Sequence, residues 1–505
     1  MLLTLFRLPL FLLLIGFSGL LMLVPAVYAG ILHDLHEARS FFYSGILTLF
    51  IFSLVAMAMS NTGQRPRALD HLVALFLTFT VLPLVLALPF WEGLATTSYL
   101  NAYFEMVSCL TTTGATLFDN PDRLSPSLHL WRGLVGWFGG LLMWIAAAAV
   151  FAPLTLGGFE VTARQGPGLT GNQIGRTEVV SAMRRWQRTL FALFPIYIGL
   201  TFALWVMLLI LGENSLTALI HAMSVMSTSG ISPVGGVTNA GAGIGGEVVM
   251  FLFLLFALSR LTFSADTGAV KRDNLWQDPE FRLGLLIVVA VPAFLFSRHW
   301  LGAYEFDELQ DTTSALRAAW GSLFTVLSFL TTTGFESADW INAQSWSGLS
   351  TPGMILLGLA IVGGGVATTA GGVKLLRVFV LYLQGLGEMQ RLVHPSIVIG
   401  DNAGNRRIRR TGAQIAWVFF MLFAISLAAI TVLLAGLGAG FEDSLIMAIA
   451  MLTTTGPLTQ VAGEAPIDLI AQTGGVKLVL SAAMVIGRLE TLGIIALLSR
   501  ELWQK

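Results

Sequence analysis

The sequence predicts an all-α polytopic membrane protein. Four parallel repeats, each a span, a short pore helix, a filter loop and a second span, surround a central pore, behind two N-terminal spans. Three observations lead there. The first is composition: of 505 residues 55% are hydrophobic and 11% charged, with mean hydropathy +0.78. A soluble domain carries about 25% charged residues, and burial covers only about 75% of the unfolded surface at ~300 residues, so the bilayer must act as part of the solvent. The second is a series of ten apolar runs long enough to cross a membrane. The third is a tetrapeptide that recurs four times at near-regular spacing.

Composition also excludes function classes. An ordinary soluble enzyme, a disordered chain and a fibrous protein are ruled out. A net charge of -1 gives no bias towards nucleic acid, and the single cysteine, Cys109, excludes a disulfide framework and any Cys-rich metal site. The first 30 residues are apolar with only Arg7 ahead of the long run. They exceed a signal-peptide core and lack a small-x-small cleavage site, so a retained first span is expected.

A helix needs about 20 apolar residues to cross ~30 Å of hydrocarbon. Such runs fall near 5–30, 41–60, 71–92, 131–155, 187–212, 244–264, 281–301, 350–382, 409–437 and 474–499. Shorter apolar stretches at about 97–110, 215–227, 314–330 and 441–452 suit re-entrant or buried helices. With both termini cytoplasmic, 21 of the 28 basic residues fall on the inner side, in keeping with the positive-inside bias. By the same assignment 18 of 29 acidic residues face outward, with Glu305, Asp307, Glu308 and Asp311 in one loop. That excess either focuses external cations or reflects only the lack of positive bias outside.

The repeated tetrapeptide is Thr111-Thr112-Thr113-Gly114, Ser227-Thr228-Ser229-Gly230, Thr331-Thr332-Thr333-Gly334 and Thr453-Thr454-Thr455-Gly456. Each copy follows a short apolar stretch and precedes a long one. Each unit crosses twice, so all four point the same way and can surround one axis normal to the membrane. The expected divisions are 1–66 for the two N-terminal spans and 67–165, 166–270, 271–400 and 401–505 for the four units. Non-helical backbone at membrane depth is tolerated only against protein or a watery cavity. Four such loops on one axis present rings of carbonyls, which replace the hydration shell of an alkali cation. The preceding short helices point their partly negative C-terminal ends at it.

These loops, the span end Ala87-Leu88-Pro89-Phe90, the stretch Trp131-Arg132-Gly133 through Gly139-Gly140 and the four-unit plan resemble the Trk/Ktr/HKT superfamily of potassium transporters, most closely its bacterial TrkH subfamily. The resemblance covers nearly the whole chain. It implies a potassium filter at Gly114, Gly230, Gly334 and Gly456, with flanking Thr112, Thr113, Thr228, Ser229, Thr332, Thr333, Thr454 and Thr455. Glycine in all four loops leans towards potassium, since in plant relatives a serine there goes with sodium. Two departures stand out: Ser229 replaces threonine, and Pro457 follows Gly456. The resemblance further implies a homodimer in a bacterial inner membrane, docked on a cytoplasmic nucleotide-binding ring of the TrkA type. Arg406, Arg407, Arg409 and Arg410 suit either that partner or anionic lipid headgroups.

The second span of repeat three is interrupted by Gly363-Gly364-Gly365-Val366-Ala367-Thr368-Thr369-Ala370-Gly371-Gly372, ahead of Lys374. Glycine costs ~1 kcal/mol relative to alanine in a helix, so this stretch loosens it. A small-residue packing face is the plain alternative; the resemblance implies a flexible gate under the filter. Arg488 sits within an apolar run, where an arginine costs at least ~2.5 kcal/mol and is functional by default. The resemblance places it beside the glycine-rich segment, where it is expected to donate to backbone carbonyls and repel cations. Glu490 at i+2 lies on another face. Lys374 is expected to mark the cytoplasmic border.

Other chemistry is missing. His33 and His36 have weak metal spacing, better read as an outer loop. There is no Walker loop, no Gly-x-Ser-x-Gly elbow and no nucleophile–base pair or metal-ligand set in the spans, so an enzyme is not expected and no organic cofactor is called for. Two transport readings remain. One is potassium uptake down the electrochemical gradient through a gated, carbonyl-lined filter. The alternative is a secondary transporter coupling potassium or sodium to sodium or proton movement, with Glu490 as the one clear midplane carboxylate.

Overall fold

A computed structural model describes residues 8–59, 68–151, 182–259, 275–303, 312–347, 353–394 and 403–490. Among these the regular structure is entirely helical, with no β-strand. The acidic group Glu305, Asp307, Glu308 and Asp311 lies outside the described residues, as do Arg65, Arg67, Arg164, Arg176, Arg260, Lys271, Arg272, Arg500 and Lys505.

The chain opens with a hairpin of long apolar helices, α1 (Leu10–Ile31) and α2 (Leu35–Met59). Unit one follows as α3 (Asp70–Leu94), α4 (Tyr99–Leu110) and α5 (Pro126–Phe151). Unit two is α6 (Ala182–Ile210), α7 (Ser215–Ser227) and α8 (Gly243–Leu258). Unit three holds α9 (Pro279–Ala303), α10 (Thr312–Leu330), α11 (Trp340–Ser347), α12 (Gly353–Val362) and α13 (Leu375–Val393). Unit four is α14 (Ala403–Gly436), α15 (Phe441–Leu452), the single turn α16 (Leu458–Val461) and α17 (Gly474–Leu489).

Among the described residues seven helices are long and apolar enough to cross a membrane, against the ten spans expected from the sequence. Two of the three differences are breaks in a helix, and the third is where the described residues end. The span near 244–264 ends as a tight 3-10 turn at Leu255–Leu258. The run 350–382 is broken in its middle and regains helix only at Leu375. The helix expected over 474–499 is described to Leu489, and the remainder lies outside the described residues.

Helix starts follow from side chains that satisfy orphan amides. Ser98, Ser125, Asn214 and Thr473 each accept from a backbone N–H in the first turn of α4, α5, α7 and α17. At α5 the cap is extended from afar. The buried Glu37 carboxylate of α2 accepts from Ser125 Oγ at 2.6 Å and from Ser127 Oγ. A negative group there also complements the positive end of the helix dipole. This contact fastens the N-terminal hairpin to unit one.

Packing closes the four units on themselves. The second span of each unit lies against the short helix of the next: α5 on α7, α8 on α10, α12 on α15, and α17 back on α4. The short helices are largely buried. Phe104, Met106, Val107, Phe324, Val326, Leu327, Met447 and Ala448 are all fully buried. Outward faces of α2, α6, α9 and α14 carry exposed Phe, Ile, Leu and Met, as lipid-facing surfaces should.

Candidate functional site

The four tetrapeptides share one local design. In each, the third residue's N–H returns to a carbonyl five residues back: Thr113 to Ser108, Ser229 to Ser224, Thr333 to Ser328 and Thr455 to Ala450, at 2.8–3.0 Å. This closes the helix end as in a Schellman motif, which requires a left-handed residue just before it. That residue is threonine every time, with φ of 54° at Thr112, 49° at Thr228, 58° at Thr332 and 53° at Thr454. A β-branched residue in this region is strained, and the strain recurs at the same position in all four loops.

Hydroxyl use divides in the same way. The first and third residues bond to each other: Thr111 with Thr113 at 2.8 Å, Ser227 with Ser229 at 3.0 Å, Thr331 with Thr333 at 3.1 Å, and Thr453 with Thr455 at 3.2 Å. Each first hydroxyl also donates to the carbonyl one helical turn earlier. These side chains fasten the loop to its helix. The second threonine of each tetrad is left out of that pairing.

The loops meet in a closed circuit. A Cβ added at Gly114 would run into the Ser229 carbonyl, and one at Gly230 into the Thr333 carbonyl. Gly334 faces the ring of Pro457. Gly456 donates its N–H to the Thr113 carbonyl at 2.6 Å, returning to the first loop. The twelve expected filter residues are thus brought together, two units at each junction. Gly114, Gly230 and Gly334 are left-handed (φ 71°, 66°, 82°). Gly456 is not, because the following proline disfavours that geometry and starts the short turn α16.

Buried carboxylates outside the sequence-predicted set brace the circuit from behind. Glu105 accepts from Leu117 N–H at 3.1 Å and pairs with Arg132 at 2.8 Å. Glu247 of α8 accepts from Ser337 Oγ and Ala338 N–H at 2.7 Å and from Trp320 Nε1 at 2.8 Å. Their partners lie in other helices and in the loops after α4 and α10, so no local spacing marked them. Past the loops stand further carboxylates. Burial pushes the Glu336 carboxyl up to about 7. Burial and then Asp468 raise that of Asp119, which accepts from Gln460 Nε2 at 3.2 Å. Asp339 is spent on α11, accepting from Asn342 Nδ2.

The segment 363–372 folds back on itself across the other side of the loops. Val373 N–H bonds to Ile361 O and Lys374 N–H to Val362 O, both at 2.9 Å. Gly365 N–H bonds to Ala257 O at 3.0 Å, and Val366 N–H to Glu280 Oε1 at 3.1 Å. Its far end touches three tetrads. Thr228 Oγ1 donates to Thr369 Oγ1 at 3.0 Å, Gly371 N–H donates to Thr332 Oγ1 at 2.7 Å, and a Cβ at Gly371 would strike Thr453 O and Thr454 Oγ1. A small cleft beside it is lined by Trp144, Met226, Thr228, Phe256, Thr368 and Thr369.

Basic side chains hold this segment from below. Arg488 Nη1 donates to Thr369 O at 2.6 Å, and its Nε and Nη2 have no hydrogen-bond partner among the described residues. Lys374, expected at the cytoplasmic border, is buried and donates to Ala370 O. Glu490 serves not Arg488 but the fully buried Arg377, at 2.6 Å, whose guanidinium also lies 3.7 Å over the Phe419 ring. Nothing is described of the side chains of Arg406, Arg407, Arg409 and Arg410.

Comparison with known proteins agrees with this architecture. The family model described as TrkH, cation transport protein, matches residues 273–505. The chain is 28% identical to the Trk system potassium uptake protein TrkH of Salmonella typhimurium, over 98% of each chain. It is 29% identical to the protein of the same name from Halomonas elongata, again over 98% of each. Among solved structures it is similar to the potassium transporter TrkH from Vibrio parahaemolyticus, with TM-score 0.79, 25% identity and 98% coverage of both chains.

Proposed function

The chain belongs to the TrkH family of cation transport proteins, and from that premise we propose that it takes up potassium through the four Thr/Ser-Gly loops, with 363–372 as the gate beneath them. It is a multi-pass bacterial membrane protein and a transporter, not an enzyme; its cargo is the potassium ion. The observation that carries the filter reading is the closed circuit of loops, in which each loop touches the next, the third through Pro457, and the fourth returns to the first. Backbone oxygens gathered in that way stand in for the water around a bare monovalent ion.

Filter ligands are Thr112, Thr113, Gly114, Thr228, Ser229, Gly230, Thr332, Thr333, Gly334, Thr454, Thr455 and Gly456. The gate comprises Gly363, Gly364, Gly365, Thr368, Thr369, Gly371 and Gly372 with Arg488. What supports the gate is its seat against three tetrads and the buried guanidinium on its Thr369 carbonyl. The units are 67–165, 166–270, 271–400 and 401–505 behind 1–66. The protein sits in the inner membrane with both termini cytoplasmic, as a homodimer on a nucleotide-binding ring of the TrkA type.

An inside-negative potential supplies ~2.3 kcal/mol per charge per 100 mV, enough to draw cations in without coupling. Coupled transport is not favoured, because Glu490, the carboxylate it would call on, is tied to Arg377. The test is rubidium and potassium uptake into proteoliposomes with sodium and proton gradients set independently. Uptake should follow the potential alone; uptake that requires either gradient would overturn the reading.

A further inference from the structure

The second threonines of the tetrads differ in one respect. All four are buried and left-handed, and none joins the pairing of the first and third hydroxyls. Thr332 Oγ1 accepts the Gly371 N–H and Thr228 Oγ1 donates to Thr369. Thr112 and Thr454 have no hydrogen-bond partner for their hydroxyls among the described residues. A buried hydroxyl without a partner is costly, and two in symmetry-related places point to a missing ligand that accepts oxygen lone pairs. Hydroxyls without a carboxylate suit a dehydrated monovalent cation, whereas divalent cations are held by charged oxygens.

Resting on the filter reading above, we propose that these four hydroxyls form the innermost cation position, and that the cation and the segment 363–372 compete for it. The competition is direct at Thr332. An amide N–H takes a lone pair of the hydroxyl oxygen and aims its positive end at the place a cation would occupy. At Thr228 the bond to Thr369 fixes the hydroxyl's direction, and Gly371 packs against Thr454. Linkage makes the effect reciprocal. A cation seated among the hydroxyls displaces the segment by the same factor by which the seated segment weakens cation binding. The permeant ion is then itself an opening ligand, and a cation that fits the ring poorly is a weak one.

Hydrogen–deuterium exchange of the peptide spanning 363–374 in the full-length protein in nanodiscs tests this, with rubidium, sodium or choline chloride. Rubidium binding is followed in parallel by calorimetry. Rubidium should raise exchange of the segment about five- to tenfold over choline, the loss expected for one hydrogen bond, and sodium should do so less. Thr332→Val should give fast exchange in choline with little further response. Thr332→Ser, which keeps the hydroxyl, should restore the wild-type pattern. Thr112→Val should weaken rubidium binding while leaving exchange in choline as in wild type. Rubidium that binds without changing exchange would overturn the competition and leave the filter standing. A wild-type protein that neither binds nor transports rubidium would overturn the filter reading itself.

Discussion

Replacing Arg488 by methionine removes the one charge-assisted bond on the Thr369 carbonyl while keeping a side chain of similar length. A hydrogen bond to a charged group contributes about 1.5–3 kcal/mol. At 2.6 Å the Arg488 bond belongs to the short, strong kind. Losing it shifts the balance between a seated and a displaced segment by roughly 10- to 150-fold, at tenfold per ~1.4 kcal/mol. The lost charge acts the same way. At an effective dielectric of ~20, a cation passing about 6 Å away meets a barrier of ~3 kcal/mol. Stability should not fall with it, since the guanidinium has no ion-pair partner within 4 Å among the described residues and Lys374 still holds Ala370. Initial rubidium uptake into proteoliposomes at a fixed inside-negative potential should rise at least tenfold over wild type. A well-behaved Arg488→Met protein with uptake equal to or below wild type would refute both the bond and the barrier as parts of a gate.

Three further outcomes are expected. Gly114→Ser puts a side chain against the Ser229 carbonyl at a left-handed position, so it should disturb a shared carbonyl and admit sodium; an unchanged potassium-to-sodium permeability ratio would count against this. The Glu336 carboxyl, raised to about 7 by burial, is neutral below that pH and negative above it. Uptake at subsaturating potassium should therefore fall as external pH drops from 8 to 6, and Glu336→Gln should flatten the profile; an identical profile in that variant would remove Glu336 as its source. Arg132→Met leaves the Glu105 carboxylate buried without its cation, which costs about 3–5 kcal/mol. Thermal unfolding in detergent should drop clearly for Arg132→Met and recover in part with Glu105→Gln added; no drop would mean the pair contributes little.

Much of the architecture was legible because membrane crossing is written in run length and composition. The tetrads were legible because four like-oriented loops need four like sequences. The break at 363–372 showed through its glycines. The left-handed threonines did not show, because threonine disfavours that region and only the return bond from the third residue, five places back, imposes it. The Arg377–Glu490 pair joins residues 113 apart, and the Glu37 cap on α5 spans 88. Neither has a local pattern, since helix packing alone brings such groups together. Lys374 read as a border residue because lysine at the end of an apolar run ordinarily reaches water; here the refolded segment covers it.

The fourth loop shows how one proline redistributes the oxygens. Pro457 cannot donate, and it starts α16 at φ -58°, so Leu458 N–H turns back onto Thr455 O at 3.1 Å. The neighbouring Gly456 N–H is left pointing at Thr113 O. In loops one and four the third-residue carbonyl therefore carries an N–H. In loops two and three the Ser229 and Thr333 carbonyls accept no hydrogen bond among the described residues, and approach Gly114 and Gly230 instead. The second-threonine hydroxyls run the other way: Thr228 and Thr332 of loops two and three are engaged by the segment 363–372, and Thr112 and Thr454 of loops one and four have no partner among the described residues. With the segment seated, unencumbered oxygens come from loops two and three at the carbonyl level and from one and four at the hydroxyl level. A carbonyl that already accepts an N–H has one lone pair taken and a positive hydrogen beside it, so it is a poorer ligand for a cation than one that does not. On the proposed filter and gate, displacing the segment frees oxygens at the hydroxyl level, so selectivity at the carbonyls and opening at the hydroxyls would be separable properties of the same four loops.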